Sequence, residues 1–137
     1  MCIRDRRGDG SYRNDTRVHV SKRSALSDSM MLYSSLSWFM KAGREQNFIN
    51  LVRKTWQQRG YGDFYGHLLV VQGSAEMMLE YGVHSWDVAA IKPLVEEAGG
   101  KFSNWEGVPT IHTPDVLISN GLVHDEVLSL LKPFEKK

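Results

Sequence analysis

The stretch EYGVHSWDVAAIKPLVEEAGG, residues 80–100, predicts the end of a strand, a short turn and then a helix. Ser85 is the candidate N-cap, because its hydroxyl can accept a hydrogen bond from a free N–H group of the first helical turn. Apolar residues follow at helical spacing, and the pair Gly99-Gly100 ends the helix. Asp87 falls in the first turn, where the helix dipole favours a carboxylate. The helix therefore holds Asp87 near the carboxyl end of the preceding strand, which is where open α/β sheets place their ligands.

Composition and charge limit the classes of function. The 137 residues are 42% hydrophobic, which is enough for one small domain with its own core. The 17 basic and 16 acidic residues give a net charge of +1, so we expect neither nucleic acid nor a membrane surface as a partner. The single cysteine, Cys2, excludes an internal disulfide, so we expect a cytoplasmic location.

The rest of the chain alternates short apolar runs with amphipathic segments. Residues 7–21 read as a hairpin whose turn is formed by Asn14 and Asp15. Residues 45–57 read as a helix with Trp56 on its apolar face. The alternation of helices and strands predicts an α/β layered domain.

The string Trp86-Asp87-x-Ala-Ala, followed by Pro93 and by Glu-Glu-Ala-Gly-Gly at residues 96–100, carries a family resemblance. It resembles the C-terminal signature of the inositol monophosphatase superfamily, whose members are Mg²⁺-dependent phosphomonoesterases. The resemblance covers about residues 7–132. It implies the C-terminal α/β domain of the layered inositol monophosphatase / fructose-bisphosphatase-like fold.

The resemblance also divides the chain into segments. Residues 1–6, MCIRDR, continue into no pattern, and we expect a non-native or disordered leader there. Residues 7–21 resemble the hairpin that ends the N-terminal domain, and residues 22–137 the C-terminal α/β domain. The superfamily's upstream Asp-Pro-x-Asp-Gly-Thr loop does not occur. We therefore expect a fragment that lacks the upstream metal-binding half, is inactive alone, and forms a homodimer when full length.

For Asp87, the resemblance implies a ligand to an active-site Mg²⁺ ion. Mg²⁺ prefers a few carboxylate oxygens, waters and a substrate phosphate, which suits a single Asp from this half. In the family mechanism the metals polarise the phosphate ester and activate a water. The alternative is a structural role, in which Asp87 only complements the helix dipole. We expect no other catalytic residue in this half.

The substrate-binding candidates are Arg59, Asp63 and Glu80. Residues 60–67, GYGDFYGH, resemble the histidinol-phosphate phosphatase branch of the family. Histidinol carries an ammonium group that Asp63 could pair with, while Arg59 could contact substrate or orient the acids through a bidentate bond. The alternatives are that Asp63 caps its helix and Arg59 lies at an interface. In the family an acid at the position of Glu80 hydrogen-bonds the alcohol part of the substrate, and the alternative is a solvated strand-end acid.

The predicted reaction is hydrolysis of a small phosphorylated metabolite, L-histidinol phosphate, in histidine biosynthesis. Two alternatives remain: an inositol-1-phosphate or general sugar-phosphate phosphatase, and an inactive structural or dimerisation module. His67 is predicted to be a packed helix residue. The pair Glu96-Glu97 is predicted to be a solvated helix face.

Overall fold

The computed structural model describes residues 2–61 and 63–133, apart from the side chain of Asp63. The strands are β1 (Ile3–Arg6), β2 (Gly10–Arg13), β3 (Thr16–Val18), β4 (Met30–Tyr33), β5 (Gln57–Gly60), β6 (Met77–Tyr81), β7 (Lys101–Ser103) and β8 (Asp115–Ser119). The helices are α1 (Leu36–Lys41), α2 (Glu45–Lys54), α3 (Asp63–Val71), α4 (Ser85–Val88), α5 (Ile91–Glu97) and α6 (His124–Leu131). Among the described residues, no helix combines the length and the apolar character needed to cross a membrane.

A five-stranded sheet in the order β5-β4-β6-β8-β7 forms the centre of the domain. Strands β5, β4 and β6 are parallel, and β8 runs antiparallel to both β6 and β7. Leu32 and Met78 point to one face and pack with α3 and α5. Met31 and Met77 point to the other face and pack with α1, α2 and α6. The strands β1–β3 form a second sheet over α5, so sheets and helices alternate in layers as predicted.

The expectation of a disordered leader is wrong for residues 3–6. Ile3–Arg6 forms β1 and pairs antiparallel with β2, with Ile3 opposite Arg13. Ile3 also packs against the core, and the guanidinium of Arg4 lies 4.3 Å from the ring centroid of Tyr12. Backbone pairing and these two side-chain contacts together order a segment that has no sequence pattern of its own.

The predicted turn between β2 and β3 is confirmed. Asn14 and Asp15 have φ angles of 47° and 69°, and β2 pairs antiparallel with β3 across them. Positive φ at both central residues is the geometry that suits a tight hairpin with the right-handed twist of its strands.

Glu97 holds the β1–β2 hairpin against α5. Its carboxylate accepts hydrogen bonds from the backbone N–H groups of Gly8 at 2.8 Å and Gly10 at 3.1 Å. These two N–H groups lower the pKa of the Glu97 carboxyl. Beside them, the hydroxyl of Ser11 donates to the carbonyl of Leu94 at 2.7 Å. The expectation of a solvated face therefore fails for Glu97, which is an anchor between the two layers.

Replacing Glu97 with alanine is expected to loosen the hairpin, since two N–H groups lose their acceptor. Hydrogen exchange at Gly8 and Gly10 should become faster, while exchange in β6 should change little. Glu96→Ala is the matched control, because Glu96 pairs with Lys92 on the helix surface, and such pairs contribute little. Equal exchange at the two glycines in both variants would contradict the anchoring role.

Helix α2 ends three residues earlier than predicted. Trp56 and Gln57 donate their N–H groups to the carbonyl of Ser29, at 3.0 and 3.5 Å, and the chain then enters β5 beside β4. The hydroxyl of Thr55 donates to the carbonyl of Leu51 and closes the last helical turn. Trp56 consequently lies outside the helix and is 61% exposed. At this end of α2, backbone pairing with β4 is therefore favoured over continuation of the helix.

The predicted helix after residue 84 is divided into α4 and α5. Pro93 has no N–H group to donate to the carbonyl of Ala89, so a continuous helix would lack that bond, and α5 restarts with Pro93 in its first turn. The N-cap is His84 and not Ser85, since Ser85 is already the first residue of α4. The carboxylate of Asp87 accepts the N–H of His84 at 2.8 Å and closes this short helix.

His124, the first residue of α6, lies in a buried polar network. Its Nε2 lies 2.7 Å from the hydroxyl of Ser103, and its Nδ1 lies 2.7 Å from the hydroxyl of Ser119. Ser103 donates its own proton to the carbonyl of Asn104, so it accepts from Nε2–H, and Nδ1 accepts from Ser119. Burial, with a smaller contribution from the charge of Lys101, lowers the pKa of His124 to about 4. The network therefore fits a neutral ring.

Candidate active site

The candidate site residues gather at one edge of the central sheet. Because β4, β5 and β6 are parallel, their carboxyl ends meet at this edge, and Arg59 and Glu80 lie there on β5 and β6. Arg59 is in register with Leu32, which is in register with Met78. Arg59 and Glu80 therefore point to the same face, on strands that lie about 10 Å apart across β4.

Asp87 lies on α4, directly after the turn that leaves β6. It is exposed, and only one of its oxygens, Oδ2, takes part in the hydrogen bond to His84. An exposed carboxylate with a second oxygen facing no described partner fits the donor chemistry of Mg²⁺, which binds one or two carboxylates together with waters and substrate oxygens. Within the described ranges, no group of three or more His, Cys, Asp or Glu side chains could hold a metal ion. Asp87 thus belongs to no such cluster among the described residues, and its role as a metal ligand remains a prediction.

Arg59 and Asp63 lie on either side of the segment that leads from β5 into α3. Arg59 is exposed, and its Nη1 donates to the neighbouring carbonyl of Gln58 at 2.9 Å. In the part of the chain that the structure describes, its guanidinium makes no ion pair with an acid. Asp63 is the first residue of α3, and its side chain lies outside the described residues. The orienting role of Arg59 toward an acid therefore remains a prediction.

Glu80 is buried and is bonded to a histidine. Its Oε2 lies 2.7 Å from Nε2 of His67 on α3, and the two side chains are 9% and 2% exposed. A Cβ atom at Gly66 would lie 2.8 Å from the sulfur of Met78, so the glycine lets α3 approach β6 closely. The alternative of a solvated strand-end acid is thus wrong. His67 is packed as predicted, but its bond to Glu80 was not foreseen.

An open cavity of about 400 Å³ lies beside the start of α4. Its walls are residues 82–86 and residues 111–114, which are joined by the N–H groups of Gly82 and Val83 donating to the carbonyl of Pro114. The exposed ring of Trp86 stacks on His84 with 4.4 Å between ring centroids and 12° between planes. The turn after β6 thus lines a recess, although Asp87 itself is not one of the lining residues.

Layered sheets and helices, with Glu80 near the carboxyl end of the parallel strand β6 and Asp87 on the helix that follows, define an α/β domain with its candidate site residues at one edge of the sheet. The chain belongs to the inositol monophosphatase family, whose model matches residues 2–134. This match also includes residues 3–6, which form β1.

Two curated relatives share the name histidinol-phosphatase. The protein from Streptomyces coelicolor is 43% identical over 115 residues, which are 84% of this chain and 43% of that protein. The protein from Mycobacterium tuberculosis is 38% identical over 115 residues, which are 84% of this chain and 44% of that protein. The chain thus spans less than half the length of these relatives.

Solved structures share the fold. The inositol monophosphatase from Anabaena is 30% identical, with a TM-score of 0.85 over 94% of this chain and 55% of that one. The extragenic suppressor protein suhB from Bartonella henselae has a TM-score of 0.89 at 24% identity, over 97% of this chain and 52% of that one. The fold-class prediction, a layered α/β domain of the inositol monophosphatase type, is confirmed.

Proposed function

We propose that this chain is part of a Mg²⁺-dependent phosphoric monoester hydrolase that converts L-histidinol phosphate to L-histidinol and phosphate, a step of histidine biosynthesis. The observation that carries the proposal is the similarity, at 43% and 38% identity, to two proteins named histidinol-phosphatase. The placement of Arg59, Glu80 and Asp87 at one edge of the sheet supports it, since a phosphate ester needs a metal ligand and groups that hold its alcohol part.

Asp87 is the Mg²⁺ ligand that this chain would provide. Its exposed carboxylate is held in place through the hydrogen bond from the N–H of His84 to Oδ2. Bound Mg²⁺ would supply charge stabilisation to the phosphate ester and activate a water. The other ligands would come from a preceding, metal-binding half of the protein, because the described residues hold no group of three or more candidate ligands. In this division, residues 7–21 end an N-terminal domain and residues 22–137 form the C-terminal one.

Three side chains would hold the alcohol part of the substrate. Histidinol carries an ammonium group and an imidazole, so an acidic wall formed by Asp63 and Glu80 is chemically suited to it. Arg59, at the end of the neighbouring strand, would contact the substrate or orient the acids. The full-length protein would be cytoplasmic and homodimeric, with neither nucleic acid nor a membrane as a partner.

The proposal is tested by phosphate release from the full-length protein. L-histidinol phosphate and inositol-1-phosphate are each supplied with Mg²⁺ and, separately, with a chelator. We expect hydrolysis that depends on Mg²⁺ and a higher kcat/KM for L-histidinol phosphate. A preference for inositol-1-phosphate would replace the substrate while keeping the reaction class. No release from either ester would favour a structural or dimerisation module.

Asp63→Ala is expected to impair turnover of L-histidinol phosphate selectively. A hydrogen bond to a charged group contributes about 1.5–3 kcal/mol, so kcat/KM should fall about 10-fold to 100-fold. An uncharged sugar phosphate, assayed with the same variant, should lose much less, because it has no ammonium group. Equal losses on the two substrates would remove the pairing of Asp63 with the ammonium group.

A further inference from the structure

We propose that His67 is a positioning residue, which holds the Glu80 carboxylate in the orientation that binds the alcohol part of the substrate. This inference rests on the proposed function, because it assigns a role to Glu80 in substrate binding. It adds a residue from α3 that contacts no substrate group and that acts through a hydrogen bond to a neighbouring strand.

His67 and Glu80 form a buried, hydrogen-bonded pair. Nε2 of His67 lies 2.7 Å from Oε2 of Glu80, which is hydrogen-bond distance, and the bond is buried between α3 and β6. In the described part of the chain, the other oxygen of Glu80, Oε1, makes no hydrogen bond, and the side chain keeps 9% of its surface exposed. One oxygen is thus fixed by the protein while the other remains available to a ligand.

The hydrogen-bond partners of the His67 ring determine which of its nitrogens carries the proton. Oε2 of an ionised Glu80 can only accept, so the ring donates from Nε2–H. Within the described residues, Nδ1 of His67 is buried and has no hydrogen-bond partner. A neutral ring leaves only a lone pair at Nδ1, whereas a second proton there would be a buried donor without an acceptor, which is unfavourable. The geometry therefore fits a neutral ring that donates from Nε2–H to Oε2 of Glu80.

Among the described residues, His67 is the side chain that fixes the Glu80 carboxylate. Glu80 is at the end of β6, where the backbone pairs with Val116 of β8, and that pairing places the Cα atom but not the carboxylate. Gly66 allows α3 to lie close enough for the imidazole of the next residue to reach it. Without His67, no described group would hold the Glu80 carboxylate, and the side chain would be free to rotate away from the orientation that binds the substrate. A displacement of about 1 Å in a substrate-positioning group can cost on the order of 100-fold.

The test is kinetic, in the full-length protein with Mg²⁺. His67→Phe keeps an aromatic ring but removes the donor, and we expect KM for L-histidinol phosphate to rise at least about tenfold, with a smaller change in kcat. Phenyl phosphate, whose leaving group has neither an ammonium nor an aliphatic hydroxyl, should show a clearly smaller loss. His67→Gln restores an N–H donor and should recover most of the tenfold change. If His67→Phe does not fold, His67→Leu takes its place as the variant without a donor, and a folded His67→Gln whose KM is no lower than that of His67→Leu would overturn the proposal.

A double-variant cycle separates positioning from packing. In the Glu80→Gln background, His67→Phe should add little to the rise in KM, because its effect passes through Glu80. The matched control is His124→Phe, which changes another buried histidine, at the opposite edge of the sheet; it should lower stability without raising KM. Additive effects of the two site variants, or an equal rise in KM with His124→Phe, would overturn the inference.

Failure of the proposed function gives a different result. If the unaltered protein prefers inositol-1-phosphate, the substrate assignment fails and the same cycle is run with that ester, whose hydroxyls also need an acceptor. Coupling between His67 and Glu80 on that substrate would support the positioning role alone. If the unaltered protein releases no phosphate from any of the three esters, both proposals are overturned.

Discussion

Asp87→Asn in the full-length protein is expected to lower Mg²⁺-dependent phosphate release by at least about 100-fold, since metal charge stabilisation is worth several kcal/mol and about 1.4 kcal/mol is tenfold in rate. The fold should persist, because the amide oxygen of asparagine can still accept the N–H of His84 that Oδ2 accepts now. Phosphate release measured across Mg²⁺ concentrations, with circular dichroism as the check on folding, gives the result.

The matched control for this experiment is Asp125→Asn. Asp125 is also an exposed acid in the first turn of a helix, α6, but that helix follows the carboxyl end of β8. Because β8 is antiparallel to β6, Asp125 lies at the opposite edge of the sheet. Its variant should keep turnover within about twofold. Near-normal activity of Asp87→Asn would remove the ligand assignment and leave Asp87 as a capping residue.

The stability of the chain is expected to fall as the pH decreases from about 6.5 to about 4. His124 has a pKa lowered from 6.5 to about 4 in the folded chain, mainly by burial. Between these values the unfolded chain binds a proton that the folded chain does not, so acid favours unfolding. The contribution of His124 to the free energy of unfolding is at most about 3 kcal/mol, and it is complete above pH 6.5.

Urea unfolding at pH 7, 6, 5 and 4.5 measures this loss. Other groups also titrate in this range, so the informative quantity is the difference between the unaltered chain and His124→Gln, which should be flatter across these pH values. His112→Gln is the control, because His112 is exposed and outside the network of Ser103 and Ser119. An equal pH dependence in all three proteins would show that His124 does not titrate on unfolding.

Local sequence signals were enough for many of the elements. The turn at Asn14 and Asp15 and the start of α2 at Glu45 follow from residue types and spacing within a few positions. The layered fold and the placement of Asp87 at the start of a helix followed from the string at residues 86–100. These features depend on neighbouring residues or on a motif, and each of these signals can be read from a single amino-acid sequence.

The errors and omissions depend on residues that are distant in sequence. Glu97 is an anchor because it accepts hydrogen bonds from Gly8 and Gly10, which lie 89 and 87 residues before it in the chain. His67 and Glu80 are 13 residues apart, on a helix and a strand, and only their packing brings them together. The division at Pro93 is the exception, since the missing N–H group was readable from the sequence.

The bonds between the β1–β2 hairpin and α5 also set an order of events while the chain is synthesised. The N–H of Gly10 can bond to Glu97 only after the next 87 residues have been synthesised, which takes a ribosome about 4–17 s at about 5–20 residues per second. Until then α5 is not there to cover the three short strands, and small sheets without such packing are marginally stable in water. Strands β1–β3 are therefore completed only after a helix that is made much later in the chain, and until then their open edges remain available for pairing.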